Sequence, residues 1–244
     1  MGMLSPAAFI RALLLAPLLL MLNSLALRQL SAVEPQAQEI LAMVRRSYAA
    51  RNEVMNATLR DNQSGRSEPL QLTLNADGMV LQFSTPPKER LVLELNEGQA
   101  LLWEEQDGRR KAISREQAAQ PLRDMALNRE DLSLRFTHWK ESRVIDPDVK
   151  LGAARVACWL VRCVAPNRDG PYGTVDLWVE KQSGGIAKMQ AHDVLGKLVK
   201  RFQVTKLQRI GELSMVREMR IEAIDAASGK TTGRTYLTLE PVKS

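Results

Sequence analysis

The sequence predicts an α+β fold that is mainly β, a strongly curved antiparallel sheet forming an unclosed half-barrel with helices covering its concave face. Three observations predict it. Apolar and polar residues alternate with a period of two through most of residues 70–240. Short turns rich in Asn, Asp and Gly separate the alternating runs, the pattern of hairpins in series. Helical periodicity is confined to two places, so the βαβ alternation that builds a parallel sheet is missing.

The N-terminus comes first. Arg11 is the only charge before Arg28, and between them lies Ala12-Leu-Leu-Leu-Ala-Pro-Leu-Leu-Leu-Met-Leu22. A short positive region, a brief apolar run and small residues at Ser31-Ala32 fit a cleavable secretory signal over residues 1–32. The run is too short for a spanning helix, which needs roughly 20 apolar residues; an uncleaved anchor is the alternative. No Cys follows the run to carry a lipid. Residues 33–244 would then form one exported periplasmic domain.

Pro35 to Arg51 reads as an amphipathic helix. Ala37, Ile40, Leu41, Val44 and Tyr48 share one face, and Gln38, Glu39, Arg45 and Arg46 the other. The period then becomes two. Leu70, Leu72 and Leu74 lead to a turn at Asn75-Ala-Asp-Gly78, and Met79, Leu81 and Phe83 follow. After Thr85-Pro-Pro87 come Leu91, Leu93 and Leu95, a turn at Asn96-Glu-Gly98, then Leu101 and Trp103. Residues 111–134 interrupt the meander. Ser114-Arg-Glu-Gln117 fits a capping box, Ala118, Leu122, Met125 and Ala126 recur at helical spacing, and Asp131–Phe136 reads as extended or mixed. Alternation resumes at Arg155–Val164, continues through Val175, Leu177 and Val179, Ile186–His192 and Lys197–Leu207, then a strand carrying Leu213, Met215, Met219, Ile221 and Ala223, and ends at Arg234–Glu240. This makes about ten strands.

Composition narrows the function. The formal net charge is +6, and residues 1–32 carry two positive charges and no acid, so the remainder is +4. Basic residues form no run longer than Arg109-Arg110-Lys111 and are not interleaved with aromatics, which argues against nucleic acid. Cys158 and Cys163 lie five residues apart in one strand. Their Cα atoms would be about 16 Å apart at 3.3 Å per residue, beyond the roughly 7 Å limit of a disulfide, so two buried free thiols are expected. His138 and His192 are the only histidines, and neither stands beside a nucleophile. Glu104-Glu105 and Asp146-Pro-Asp148 lack the spacing of a paired-acid or calcium site. Gly184-Gly185 precedes no helix that could cradle a phosphate. The expectation is a binding protein without enzymatic activity, metal or cofactor.

The apolar pattern is the informative signal. Leu70, Leu72, Leu74, Met79, Leu81, Phe83, Leu91, Leu93, Leu95, Leu101 and Trp103 would line the concave face in the first half. Val175, Leu177, Val179, Met189, Met215, Met219 and Ile221 would extend it in the second. Such a face either forms a self-filled core under the helices or leaves room for an apolar guest, to which unbranched Met adapts.

The order of these parts resembles a known family. Leu70–Phe83, Thr85-Pro-Pro-Lys-Glu-Arg90, Leu93–Trp103, Asn128-Arg-Glu-Asp-Leu132, Ala157–Val161, Gly173–Lys181 and Gly196–Lys200 are similar to the LolA-like, outer membrane lipoprotein-sorting family, over about residues 35–240. The resemblance implies an unclosed barrel with a helical lid, binding an acyl chain of a lipidated protein or lipid. It implies a monomer that receives its cargo from an inner-membrane transporter and passes it to an outer-membrane receptor. A periplasmic sensor or adaptor module of an envelope complex is the alternative. One position departs from the family: the Arg that precedes the strand matching Met79–Phe83 and helps hold the lid is replaced here by Ala76-Asp77-Gly78.

Overall fold

The computed structural model describes residues 34–242, except 50, 51, 97, 168, 169, 211 and 212. The signal segment expected at residues 1–32 lies outside the described residues. From Gln36 onward the chain builds one 13-stranded antiparallel sheet. Helix α1 (Ala37–Ala49) precedes a meander of β1 (Glu53–Asp61), β2 (Ser67–Asn75), β3 (Gly78–Phe83), β4 (Arg90–Leu95), β5 (Ala100–Gln106) and β6 (Arg109–Ala112). An insert follows, with two short helices, α2 (Arg115–Ala119) and α3 (Arg129–Ser133), and 3-10 turns at Leu122–Asp124 and Arg135–His138. A second meander comprises β7 (Ser142–Leu151), β8 (Val156–Val164), β9 (Thr174–Glu180), β10 (Ile186–His192), β11 (Leu198–Ile210), β12 (Leu213–Ile224) and β13 (Thr231–Pro241).

Strand β13 pairs with β1, which joins the two meanders back to back in the order β6-β5-β4-β3-β2-β1-β13-β12-β11-β10-β9-β8-β7. The sheet is therefore open between β6 and β7, and the insert connects these two edges. Both edges are unattractive to further strands. All four residues of β6 are exposed, three of them basic, and β7 contains Pro147 and two register shifts.

Thirteen strands replace the ten expected. The three additions are β1, β6 and β7. In β1 the core side chains Met55, Ala57 and Leu59 include only one large branched residue, so their alternation is faint. Strands β6 and β7 are edges without a buried face to advertise them. Segment 131–136 is α3 and a 3-10 turn, not extended chain. Asn128 caps α3 reciprocally with Asp131: each side chain accepts from the other's backbone N–H at 2.8 Å. The capping box at Ser114 forms as expected, but α2 ends at Ala119 because Pro121 holds Gln120 extended.

The core lies on the concave side. Ile40, Leu41 and Val44 of α1 are fully buried, in one apolar cluster with Leu72, Leu81, Phe83 and Leu93 from the first meander and Val161, Leu177, Met189 and Ile221 from the second. Each such side chain contributes roughly 1.5–3 kcal/mol. Cys158 and Cys163 are free and buried; burial raises their thiols to about 11 and about 12 respectively. At the β2–β3 turn, Gly78 has φ +144, and a Cβ there would lie 2.1 Å from the Leu93 carbonyl oxygen.

Two sets of polar contacts fasten the insert across the concavity. At one end, the Arg123 side chain is 6% exposed. It donates to Glu68 Oε2 and Thr85 Oγ1, each at 2.9 Å, and to the Pro87 carbonyl. Its guanidinium stacks 4.1 Å from the Phe83 ring centre, and Arg129 adds an ion pair to Glu89 at 2.5 Å. At the other end, Asp131 of α3 accepts from Tyr172 Oη at 2.5 Å and lies 3.3 Å from Lys200 Nζ on β11. Lys200 also donates to the Ala126 carbonyl at 2.5 Å, and the Ala126 N–H donates to Thr235 Oγ1 at 2.9 Å. Burial pushes the Asp131 carboxyl above the usual carboxylate range, opposed by the Lys200 ammonium and the Tyr172 hydroxyl.

Two stability outcomes follow. Gly78→Ala should lower the chemical-denaturation midpoint sharply, whereas Gly65→Ala, with no atom within 4 Å of its Cβ position, should cost no more than about 1–3 kcal/mol for its left-handed backbone. Asp131→Ala should destabilise by about 3–5 kcal/mol, because it strands the buried Lys200 ammonium. Adding Lys200→Met should recover much of that loss.

Candidate functional site

The concave face is largely occupied by the protein itself. Leu72, Leu74, Leu81, Phe83, Leu91 and Leu93 are all buried beneath α1 and the insert, as are Leu177, Met189, Met215 and Ile221. Leu95 and Met219 are half-buried against the same cluster. Two register shifts in the β11–β12 pairing separate Met215 from Met219. Strand register turns two expected lining residues, Leu101 and Trp103, away from the face of Leu91 and Leu93, although both border the cavity at the end of the insert. Leu91 and Leu93 pair with Glu104 and Leu102, so Leu102 shares their concave face. Leu101 and Trp103 pair with Glu94 and Val92 and stand on the convex face, where Trp103 Nε1 donates to Glu94 Oε2 at 3.2 Å. The Asn96–Gln99 turn sets this register, with Asn96 N–H donating to the Gln99 carbonyl at 3.0 Å. Three consecutive apolar residues, Leu101-Leu102-Trp103, leave the parity open in the sequence.

The free space lies at one end of the insert, against β5. A cavity of about 390 Å³ is bordered by Ala100–Trp103 on one side and by Ile113, Ala118, Arg129, Ser133, Arg135, His138 and Trp139 on the other. Its size is within the roughly 300–1,000 Å³ common for small-molecule sites. The surfaces facing it are mixed: Ala100, Leu102, Ile113, Ala118 and Trp139 are apolar, and two guanidiniums stand among them. A smaller space of about 190 Å³ adjoins Arg135 and Trp139 and is bordered by Arg115, Glu130, Pro171 and Tyr172.

The walls are held from several directions. His138 Nε2 lies 3.0 Å from the Asn96 carbonyl, tying the insert to the β4–β5 turn. Burial lowers the imidazole below its usual range, which leaves it neutral near pH 7. Trp139 meets Phe136 edge-on at 6.5 Å. Helix α1 braces the same segment: Gln38 Nε2 donates to the Trp139 carbonyl at 2.9 Å and to Ser142 Oγ at 2.8 Å, and Arg45 donates to the Thr137 carbonyl. Arg135 pairs with the buried Glu130.

The residues that shape this site were mostly not singled out in the sequence. Arg123, Arg129, Lys200 and Tyr172 gave no periodic signal, since each acts through a long-range polar contact. The Asn128-x-x-Asp131 spacing was the available clue. His138, which stands beside no nucleophile in the sequence, borders the cavity. Among the described residues, no cluster of His, Cys, Asp and Glu is arranged to hold a metal ion.

Comparisons place this geometry. No curated protein matches the sequence. A domain from Vibrio parahaemolyticus described as an outer membrane lipoprotein-sorting protein domain superposes with a TM-score of 0.65 at 15% identity, covering 84% of this chain and 91% of that one. A LolA superfamily protein from Nitrosomonas europaea superposes with a TM-score of 0.59 at 14% identity, covering 86% and 94%. A protein of a domain-of-unknown-function family from Desulfovibrio piger gives 0.61 at 15%, covering 84% and 90%. These likenesses establish a shared fold. A family model described as an uncharacterized protein matches residues 76–242, which includes eleven of the thirteen strands and the whole insert. The chain belongs to that family, and its fold is the one shared with the lipoprotein-sorting domain and the LolA superfamily protein.

Proposed function

We propose that this protein is a periplasmic, non-enzymatic binder of acyl chains from lipids or lipidated proteins, held between β5 and the insert. The observation that carries the reading is the cavity of about 390 Å³ under a cover that is fastened by side chains at its two ends. The fold shared with a lipoprotein-sorting domain and a LolA superfamily protein supports it. Each methylene transferred from water would contribute about 0.8 kcal/mol, so a partly inserted chain already gives useful affinity. The buried lining at Leu91, Leu93, Phe83, Leu177, Met189 and Ile221 becomes available only when α1 or the insert shifts. In this role the monomer accepts its cargo from an inner-membrane transporter and yields it to an outer-membrane receptor.

A second reading is a periplasmic sensor or adaptor module that carries no lipid. The self-filled concavity favours it, because most of the expected lining is already core.

A titration with a fluorescent fatty acyl probe separates the two. Wild-type protein should bind the probe, and Leu102→Glu should weaken binding by at least about tenfold, since it places a charge in the apolar wall. Arg123→Ala releases one end of the insert and should tighten apparent binding by about tenfold, as the open state becomes more populated. If neither wild type nor Arg123→Ala binds the probe, the carrier reading fails and the adaptor reading stands.

A further inference from the structure

The convex face of the second meander carries an ordered cationic array. Register places Arg162, Asp176, Arg201, Glu222 and Arg234 in one row running strand to strand from β8 to β13. The adjacent row holds Trp178, Lys188, Arg220 and Tyr236, and continues to Arg60 on β1. Six cations thus face two acids. The acids lie at the level of the sheet, with the Asp176 and Glu222 side chains 7% and 4% exposed. The guanidiniums of Arg162, Arg201, Arg220 and Arg234 cover them and are 32–38% exposed. A partner approaching this face meets positive charge.

The second row is under-compensated. Lys188 sits 4.1 Å over the Trp178 ring and Arg60 sits 5.2 Å from the Tyr236 ring centre. Arg220 donates to Gln203 Oε1 at 3.1 Å and stands 3.7 Å from Glu222, and its buried Nε has no hydrogen-bond partner. Burial foremost, and the nearby Arg201, push the Lys188 ammonium below its usual range, opposed by Asp176. The next acid outward, Glu218, is taken by Lys206 at 3.0 Å and Thr205 at 2.8 Å.

We propose that this convex array is a docking surface for an acidic, extended protein segment. In both rows cations recur two strands apart, from Arg201 to Arg234 and from Lys188 through Arg220 to Arg60. Two strand spacings are about 10 Å, the span of three residues of extended chain. Carboxylates at every third position of a polyproline II-type extended segment, which repeats every three residues at about 3.1 Å rise, match that interval and share one side. The aromatic rings lie beneath the cations, and Trp178, only 9% exposed, is not presented for insertion into a bilayer. It is also the opposite face of the sheet from the insert, so a bound segment leaves the cavity uncovered.

The test uses the purified protein and a fluorescein-labelled peptide with Glu at every third position, read by anisotropy, alongside phosphatidylglycerol vesicles. The wild type should bind the peptide, with affinity falling as salt shortens the screening length. Lys188→Glu/Arg60→Glu should weaken binding by at least about tenfold, as expected where steering and pairing are electrostatic. Neither residue supports a buried carboxylate by ion pair, so the fold should hold, and binding of the fatty acyl probe should be unchanged. Arg109→Glu/Lys111→Glu on β6 changes net charge equally and should leave peptide affinity within about twofold. The proposal is overturned if the wild type binds no peptide, if the β6 variant loses as much affinity as the array variant, or if vesicles are bound in preference to the peptide.

Discussion

The structure depends on fastening one insert across an open sheet. Two meanders joined at β1 and β13 leave β6 and β7 as unpaired edges and an apolar concave face between them. Such a face must be covered, and the connection between the two edges is the segment placed to help do it. Helices of five residues cannot hold themselves there, since a helix that short has almost no intrinsic stability. The insert is instead fixed by groups that reach the sheet: Arg123 at β2–β4, and Asp131, Tyr172 and Lys200 near β11. Helix α1 fills what remains with Ile40, Leu41 and Val44.

The position of the Arg123 fastening bears on the departure seen in the sequence. The resemblance implies an arginine on the sheet side, near residues 76–78, reaching toward the lid. Here that turn must contain Gly78, because the Leu93 carbonyl leaves no space for a Cβ. The arginine is supplied from the insert and reaches toward the sheet, where Glu68, Thr85 and Glu89 receive it. Arg123 and Asp124 both take left-handed backbone, φ 52 and 58, which is uncommon for such residues. The strong contacts of the side chain hold that turn in place.

Much of this architecture was legible in the sequence, for a physical reason. Leu70–Leu74 and Met79–Phe83 each bury one face, so their alternation reports both strand and orientation. Helix α1 was legible because its apolar stripe recurs at helical spacing. Strands β6 and β7 were not, because an edge strand with no buried face has no pattern to show. The site was less legible than the fold. Leu101, Leu102 and Trp103 form an apolar run whose facing is decided by the turn at residues 96–99, and one step of register exchanges concave for convex. The polar fastenings were invisible, since Asp131 and Lys200 are far apart in sequence and meet only after the sheet has curved.

A filled concavity and a binding role are not in conflict once the free energies are compared. An acyl chain that displaces Ile40, Leu41 or Val44 from the sheet exchanges one apolar contact for another of similar area, so the hydrophobic contribution of the sheet face changes little. What such entry must overcome is directional: the Gln38 and Arg45 bonds where α1 moves, and the Arg123 bonds to Glu68 and Thr85 with the buried Lys200–Asp131 pair where the insert moves. Buried ionic contacts are strongly unfavourable to break singly, because the abandoned charge stays desolvated. They are far less so when the whole segment moves and both partners reach water together. The insert is thus held against partial displacement more strongly than against movement as a unit. In the proposed role, its polar fastenings, more than the amount of apolar surface beneath it, would set how readily a guest chain gains entry.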